Sequence, residues 1–196
     1  MSTPETIDLD GGLVLRRWRP ADAEALHAAI TESREHLRPW LSWVGSVTLE
    51  ERTAMLSSWE WEWDRGGDLV YGLFRAGDVV GSCGLHRRIG PDGLEVGYWV
   101  HAAHARRGYA TRAATALTTL AFTLPGIRVV EIHHDQANTA SEGIPRKLGF
   151  TLVGEYPKKA PPAPAESGVF KIWRMRREDW APAQSGESTS PVGTLG

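Results

Sequence analysis

The sequence predicts one domain of the mixed α/β class, in which a central sheet is flanked by helices. Its 196 residues match the length of a single ordinary domain. Segments with strand and helix patterns mix along the chain in the order β-α-α-β-β-β-α-β-α-β-β. The single cysteine, Cys83, excludes an internal disulfide framework and a multi-cysteine zinc site. A hydrophobic core must therefore hold the fold together, and the 41% of residues that are hydrophobic can supply it.

The first half of the chain is predicted to contain a strand, two helices and a β-hairpin. Residues 13–17 form the strand, and Pro20 opens a helix with apolar residues at helical spacing. Thr48, followed by acidic residues, is typical of a helix N-terminus and begins a second helix that runs toward Asp64. The hairpin comprises residues 69–74 and 79–85.

The second half is predicted to contain four strands and two helices. The strands are residues 94–100, 127–134, 150–155 and 169–176, and the helices are residues 108–124 and 139–148. Residues 157–168 include the run Lys-Lys-Ala-Pro-Pro-Ala-Pro, which predicts a long loop. Long loops in compact domains are often functional.

We expect the domain to span residues 11–181, with a loose segment at 1–10 and a disordered tail at 182–196, whose composition buries little apolar surface. The chain has no apolar run near the ~18 residues of a membrane helix, and its first residues lack the features of a secretion signal. The net charge of −2 gives no basic excess for nucleic-acid binding. A cytoplasmic protein with neither a membrane nor a nucleic-acid partner is therefore expected.

Residues 106–111 are a candidate anion-binding turn. They lie where a predicted strand leads into the helix that begins near Gly108. Backbone N–H groups at a helix start lack internal acceptors and lie at the positive end of the helix dipole, which suits a pyrophosphate. Gly108 lets the backbone approach a phosphate, and Arg106 and Arg107 add positive charge. An ordinary strand-to-helix turn with two solvated arginines explains the same residues equally well.

Asn138 and Ser141 begin the short helix that follows the next strand. Asn138 occupies the position of an N-cap, which is the commoner role of Asn before a helix. Pro145 lacks an N–H group, so we expect it to leave the carbonyl of Ser141 without its helical partner. Leu148-Gly149-Phe150 is typical of a helix end followed by a strand.

In order and spacing, these segments resemble the GNAT superfamily of acetyl-CoA-dependent N-acetyltransferases. The resemblance covers residues 11–180 and depends on the ordered set of the turn at 106–111, the Asn138 and Ser141 pair, and Leu148-Gly149-Phe150. Residues 95–100 are similar to the family's cofactor strand. Residues 36–43, His-Leu-Arg-Pro-Trp-Leu-Ser-Trp, are similar to the branch that acetylates ribosomal proteins, represented by RimJ and RimL.

The resemblance implies a mixed, mostly antiparallel sheet of about seven strands flanked by about four helices, with acetyl-CoA as co-substrate and no metal. It assigns the CoA pyrophosphate to Arg106, Arg107, Gly108, Tyr109, Ala110 and Thr111. It pairs backbone groups of Trp99 and Val100 with the pantetheine and places Asn138 beside the pantetheine. It places Ser141 beside the sulfur, where Ser141 protonates the leaving thiolate. One departure is Ala105, where the family usually has Gln or Arg.

The general base that deprotonates the amine has several candidates: Glu95, Glu131, His133 and His134. Glu95 is the first choice because it precedes the glycine of the cofactor strand, and His133 is the second. In the ribosomal-protein branch a Glu of the last β-hairpin has this role, but the Pro-rich hairpin gives no clear match. Polar side chains among apolar strand residues are costly to bury without partners, so a satisfied histidine pair at a strand end is the competing explanation.

The acceptor amine is expected to bind between the first two helices and the last hairpin, beside Trp40, Trp43, Glu131 and His133. Trp59, Trp61 and Trp63 cannot share one helix face, so some of them must be exposed or line a cavity. The acceptor is a protein N-terminus, an amino acid, a polyamine or an antibiotic amine. Alternative functions are transfer from another acyl-CoA such as succinyl-CoA, a non-catalytic acyl-CoA sensor, or a phosphate-binding module. Monomer and homodimer are both compatible with the sequence.

Overall fold

The structure is a computed structural model, and it describes residues 3–45 and 47–181. The described strands are β1 (Thr6–Leu9), β2 (Leu13–Arg17), β3 (Leu69–Arg75), β4 (Asp78–His86), β5 (Gly93–Val100), β6 (Val129–Asp135), β7 (Thr151–Pro157) and β8 (Val169–Arg176). The described α-helices are α1 (Ala23–Glu32), α2 (Arg34–Leu37), α3 (Leu49–Asp64), α4 (Tyr109–Thr123) and α5 (Thr139–Lys147). The predicted mixed α/β class and element order are confirmed, with β1 and α2 added. The predicted tail, 182–196, lies outside the described residues.

The prediction of a loose segment at 1–10 is wrong for β1, which pairs antiparallel with β2 from Thr6↔Arg16 to Leu9↔Leu13. Ile7 and Leu9 are half-buried and pack against the core on alternate positions of the strand. This alternation is the usual pattern of an edge strand with one buried face. It is only four residues long, which is why it gave no clear signal in the sequence.

All strands belong to one sheet in the order β1-β2-β3-β4-β5-β6-β8-β7. Among the described strands only β5 and β6 pair in parallel, and helix α4 makes the crossover between them. The chain then passes through α5 to the β7–β8 hairpin, whose second strand pairs with β6. The carboxyl ends of the two parallel strands lie at the same edge of the sheet, with no hairpin turn joining them.

Two hydrophobic clusters support this sheet. In the first, α4 packs on β4 and β5 through Ala113, Ala114 and Leu117, whose side chains are fully buried. The small alanines allow the helix to approach the strands closely. In the second, α1, α2 and α3 pack around Trp18, whose indole N–H donates to the Ser82 hydroxyl at 3.0 Å. No helix among residues 3–45 and 47–181 has both the length and the apolar character needed to cross a membrane.

Helix α3 begins as the sequence predicts. Thr48 Oγ1 accepts from the N–H of Glu51 at 3.1 Å, and the Glu51 carboxylate accepts from the N–H of Thr48 at 2.7 Å. This reciprocal pair is a capping box, which satisfies two backbone donors at the helix start. The hydrogen bonds from Thr48 hold the pKa of Glu51 below its usual range. Glu51 is thus committed to the helix end.

Candidate active site

A gap opens between the carboxyl-terminal halves of β5 and β6. The two strands pair only from Gly93↔Val129 to Glu95↔Glu131. Beyond this point β5 continues to Val100 while remaining paired with β4 on its other side. β6 likewise continues to Asp135 along β8. The facing edges of both strands are therefore free to receive an extended ligand.

The direction of the β5 backbone groups follows from its hydrogen bonds. The N–H of His101 donates to the Val80 carbonyl at 2.9 Å, and the Asp92 carbonyl accepts from Val129 on the β6 side. Peptide groups alternate along a strand, so those of Tyr98 and Val100 point into the gap, whereas those of Trp99 point toward β4. The expectation for Val100 fits this geometry. The expectation for Trp99 does not fit, because its backbone pairs with Ser82 of β4, although Trp99 also lines the cavity described below. The backbone groups that face the gap are those of Tyr98.

The N-terminus of α4 lies at one edge of the gap. Gly108 is its N-cap with φ of 75°, a left-handed conformation that favours glycine. An added Cβ at Gly108 would meet no atom within 4 Å, so the space above this turn is open. The N–H groups of Tyr109, Ala110 and Thr111 form the first helical turn and have no intrahelical acceptor. These groups and the helix dipole make the turn suitable for an anion.

The two arginines of this turn are placed differently. Arg106 lines the cavity and has a left-handed backbone with φ of 60°. Arg107 is exposed beside it and is not part of the cavity wall. Ala105, the position of the departure from the family pattern, also lines the cavity. Arg106 thus supplies, one residue later in the chain, the positive charge that Ala105 lacks.

Helix α5 forms the other wall at the same end of the gap. Asn138 Oδ1 accepts from the N–H of Ser141 at 3.1 Å, so Asn138 is the N-cap that the sequence predicts. The Ser141 carbonyl, which Pro145 cannot satisfy, accepts from the hydroxyl of Tyr98 at 3.4 Å. Burial raises the pKa of Tyr98 to about 12, so its hydroxyl stays protonated. The Ser141 side chain lines the cavity and does not cap the helix.

His133 lies between two glutamates on the opposite side of the gap. Its Nε2 is 2.7 Å from Oε2 of Glu131. Its Nδ1 is 3.2 Å from the Tyr156 hydroxyl and 3.7 Å from Oε2 of Glu95. All three charged side chains are close to nine-tenths buried or more. The sequence predicted that Glu131 and His133 share a strand face, and the hydrogen bond between them confirms it.

Each glutamate is also bound by an arginine. Arg88 donates to both oxygens of Glu95, at 2.8 and 2.6 Å, and Arg174 donates to Oε1 of Glu131. Burial alone would raise the pKa of Glu131, but the hydrogen bonds from His133 and Arg174 hold this pKa below its usual range. An ionised Glu131 only accepts hydrogen bonds, so Nε2 of His133 carries a proton. In the neutral imidazole, Nδ1 is then the basic nitrogen.

This geometry reverses the order of the two predicted bases. Both oxygens of Glu95 are already occupied by Arg88, so Glu95 is held as an ion pair. His133 has an unprotonated Nδ1, which accepts from the Tyr156 hydroxyl, and a carboxylate behind it at Nε2, which is the arrangement of a positioned general base. His134 points to the other face of β6, where the Trp173 indole donates to its Nε2 at 2.9 Å. His134 is the satisfied core histidine.

One cavity of about 1320 Å³ connects these elements. It runs from the α4 turn past Ser141 and His133 to the aromatic residues of the first helices. Of the four predicted acceptor residues, Trp40, Trp43 and His133 line this cavity, together with Trp59 and Trp99. The fourth, Glu131, does not line the cavity and contacts His133 from behind. As the spacing of the α3 tryptophans predicts, they separate: Trp59 lines the cavity, Trp61 is 55% exposed, and Trp63 is buried against Tyr71.

The β7–β8 loop closes one side of the cavity. The Asp135 carboxylate accepts from the N–H groups of Ser167 and Gly168, both at 2.9 Å. Glu166 is buried, lines the cavity and pairs with Lys158 at 2.5 Å. The hairpin therefore does contain a glutamate near the site. The Pro-rich sequence around Glu166 gives no indication of this position. Its partner Lys158 neutralises it.

Comparisons with known proteins identify the family and the fold. The family model described as "Acetyltransferase (GNAT) domain" matches residues 12–151. The Bacillus subtilis (strain 168) protein YdaF, whose name assigns it to the ribosomal N-acetyltransferases, is 25% identical over 153 residues, covering 76% of this chain and 84% of its own.

Solved structures share the fold. RimL, the ribosomal L7/L12 alpha-N-protein acetyltransferase in complex with CoA, matches with a TM-score of 0.80 and 22% identity over 88% of this chain and 98% of its own. The microcin C7 self-immunity acetyltransferase MccE, in complex with acetyl-CoA and AMP, matches with a TM-score of 0.79 and 18% identity over 89% of this chain and 98% of its own.

Proposed function

The chain belongs to the GNAT acetyltransferase family, and from this premise we propose that it transfers an acetyl group from acetyl-CoA directly to a primary amine. The observation that carries the proposal is the gap between β5 and β6, which has an anion-binding turn at one edge and a positioned histidine base at the other. Direct transfer needs both partners in one space, and a single cavity contains both edges.

The residues around the gap fit acetyl-CoA. The open turn at Gly108 and the first-turn N–H groups of α4 suit its pyrophosphate, with Arg106 as an added cation. Backbone groups of Tyr98 and Val100, together with Asn138, would hold the pantetheine arm. When bound, acetyl-CoA supplies an acetyl group activated as a thioester.

His133 is the general base of this proposal. Its Nδ1 accepts a proton from the acceptor amine, and Glu131 stabilises the imidazolium that forms through the hydrogen bond to Nε2. Tyr156, whose pKa is raised by burial and by the charge of Glu95, occupies Nδ1 in the resting protein as a hydrogen-bond partner. A protein α-amine titrates near ~7.7–8.0, so a histidine base is well matched to it.

Ser141 is the proposed proton donor to the departing sulfur, and solvent in the cavity returns a proton to its hydroxyl as the sulfur takes one. Its side chain faces the cavity at the start of α5, while its backbone is fixed on both sides by Asn138 and Tyr98. A thiol has a pKa near ~8.5, so its thiolate is a tolerable leaving group and the donor assists rather than controls the reaction.

The acceptor class is suggested by the relatives. The names of YdaF and RimL specify ribosomal N-acetylation and a protein alpha-amine. We therefore rank a protein or peptide N-terminus first among the acceptors. This would place the activity in the cytoplasm, where ribosomal proteins are made, with the protein acting as a monomer or homodimer.

The test is release of free CoA thiol from acetyl-CoA, with the acetylated amine detected by mass spectrometry. Peptides with free N-termini, amino acids and polyamines serve as acceptors, and succinyl-CoA serves as the alternative donor. We expect release that depends on the amine and is fastest with acetyl-CoA. Tight CoA binding without any amine-dependent release would favour a non-catalytic sensor.

A further inference from the structure

Arg52 is a buried cation that has no anionic partner among residues 3–45 and 47–181. Only 3% of the residue is exposed, yet it lines the cavity. Its one side-chain contact within hydrogen-bond range, among residues 3–45 and 47–181, is the sulfur of Met55 at 3.9 Å, and its Nε has no partner there. The neighbouring carboxylate, Glu51, is occupied by the capping box of α3.

Arg17 shows how another buried arginine of the molecule is paired with anions. Arg17 is buried to a similar degree, with 6% exposed, but it pairs with Glu5 at 3.1 Å and with Asp64 at 2.7 Å. A buried guanidinium without an anion is destabilising, because it loses hydration and gains no charge partner. Burial accordingly lowers the pKa of Arg52 from its usual value. An anion that enters the cavity would remove this penalty.

The position of Arg52 on α3 directs it to the acceptor end. Arg52, Met55 and Trp59 are spaced by three and four residues, so they share one helix face, and all three line the cavity. The guanidinium carbon lies 5.9 Å from the centre of the Trp43 ring. The anion-binding turn of α4 is a separate part of the cavity wall, formed by residues 105–111 rather than by α3.

The cavity therefore offers a base and a cation on different walls. His133 lies on its β5–β6 wall, and Arg52, which has no anionic partner among residues 3–45 and 47–181, lies on its α3 wall. A ligand with an amine at one end and an anion at the other would match both walls. The tryptophans that also line the cavity offer apolar and aromatic surface for the rest of such a ligand.

We propose that the acceptor amine carries a carboxylate or phosphate group and that Arg52 binds this group when the amine lies at His133. The proposal rests on the proposed acetyl transfer and adds the chemical class of the acceptor. Arginine suits both anions because its planar guanidinium donates two parallel hydrogen bonds to either.

The experiment compares paired acceptors that differ in the anion: L-phenylalanine and its amide, a Ser-Glu-Ala peptide amide and its Ser-Gln-Ala analogue, and O-phosphoethanolamine and ethanolamine. The three pairs distinguish an α-carboxylate, an acidic side chain and a phosphate. For each pair we measure the kcat/KM ratio in the parent, in Arg52→Met and in Arg52→Lys. Comparing ratios between proteins cancels the different amine pKa values within a pair.

We expect Arg52→Met to lower the anionic-to-neutral ratio at least about tenfold for at least one pair, as for loss of a charge-assisted hydrogen bond. Arg52→Lys should lower it less. Arg65→Met is the matched control, since Arg65 lies at the end of the same helix, 4.5 Å from the centre of the Trp61 ring, and does not line the cavity. Unchanged ratios in a folded Arg52→Met protein would overturn the proposal.

A second measurement uses the parent protein alone, in case Arg52→Met does not fold. Phenyl phosphate, 3-phenylpropionate and 3-phenylpropionamide are tested as inhibitors competing with the amine. Inhibition by either anion at concentrations about tenfold below those of the amide supports an anion site. Equal inhibition by all three contradicts it. Failure of every amine to be acetylated would instead contradict the proposed function itself.

Discussion

The two sides of the gap between β5 and β6 are built from different parts of the polypeptide. On the side of α4 and α5, backbone groups form the surface: the first-turn N–H groups after Gly108 and the β5 peptides of Tyr98 and Val100. On the side of α1 to α3 and β6, side chains form much of the surface, and His133 and Arg52 are among its polar groups. A surface of backbone groups suits a ligand that is the same in every reaction. A surface of side chains can differ between proteins that bind different acceptors.

The largest effect on turnover is expected for a variant of His133, which lies on the side of the gap formed by side chains. His133→Gln should lower kcat by about 10²–10⁴-fold, the usual range for loss of a general base. CoA affinity should stay within a few-fold, because the proposed CoA contacts lie on the backbone side. Stopped-flow or steady-state thiol release measures kcat, and calorimetry measures CoA binding.

His27→Gln is the matched control for this variant. His27 lies in α1, is half-buried and does not line the cavity. It should retain the parent turnover. If His133→Gln kept more than about a tenth of the parent kcat at pH 7, the base would have to be another group, with Glu166 the next candidate from the same cavity.

The next prediction distinguishes a role in catalysis from a role in capping helix α5, by comparing variants of Ser141 and Asn138. Ser141→Ala should lower turnover about 10²-fold and leave the melting temperature unchanged, because the cap is the Asn138 side chain. Asn138→Ala should lower the free energy of unfolding by about 1 kcal/mol. Turnover and thermal unfolding are measured on both variants. A Ser141→Ala protein that is destabilised but fully active would remove Ser141 from the reaction.

A smaller effect concerns the loop that closes the cavity, which Asp135 holds. Burial by itself would raise the pKa of Asp135, but donors from Ser167, Ala137 and Gly168 hold it below its usual range. The stabilisation from ionised Asp135 is therefore present above an unfolded pKa of about 3.9 and is lost as the pH falls through the lower folded value.

Asp135→Asn should consequently lower the melting temperature at pH 7 more than at pH 3. Urea or thermal unfolding at both pH values measures the difference. An equal decrease at both pH values would mean that the charge of Asp135 does not contribute to holding the loop.

The contrast between the backbone side and the side-chain side of the gap also explains which parts of the site could be predicted from the sequence. The backbone side depends on local signals, such as a glycine at a helix start, an Asn before a helix and a proline that frees the Ser141 carbonyl. Each involves a few neighbouring residues, and each is present in the structure. Even on this side, the sequence indicates Trp99 where the structure has the backbone of Tyr98 facing the gap. The direction of a peptide group depends on the neighbouring strand with which it pairs.

The side-chain side depends on contacts between distant residues. Glu131 meets Arg174 across 43 positions of sequence, and this contact requires knowing that β8 returns beside β6. Glu95 was ranked above His133 because nothing local reveals its pairing with Arg88. Arg52 gave no signal at all, since an arginine on a helix rich in polar residues is normally solvated.

CoA binding to a matched pair of glycine variants tests the central claim, that the gap beside α4 is the cofactor site. Gly108 and Gly126 have nearly equal φ values of 75° and 77°, and neither has an atom within 4 Å of an added Cβ. Gly108→Val and Gly126→Val therefore carry similar backbone strain, but only Gly108 lines the cavity. Calorimetric titration with CoA should show at least about tenfold weaker binding for Gly108→Val and parent affinity for Gly126→Val, since the new side chain blocks the approach to the phosphates. Equal CoA affinity in the two variants would contradict the claim.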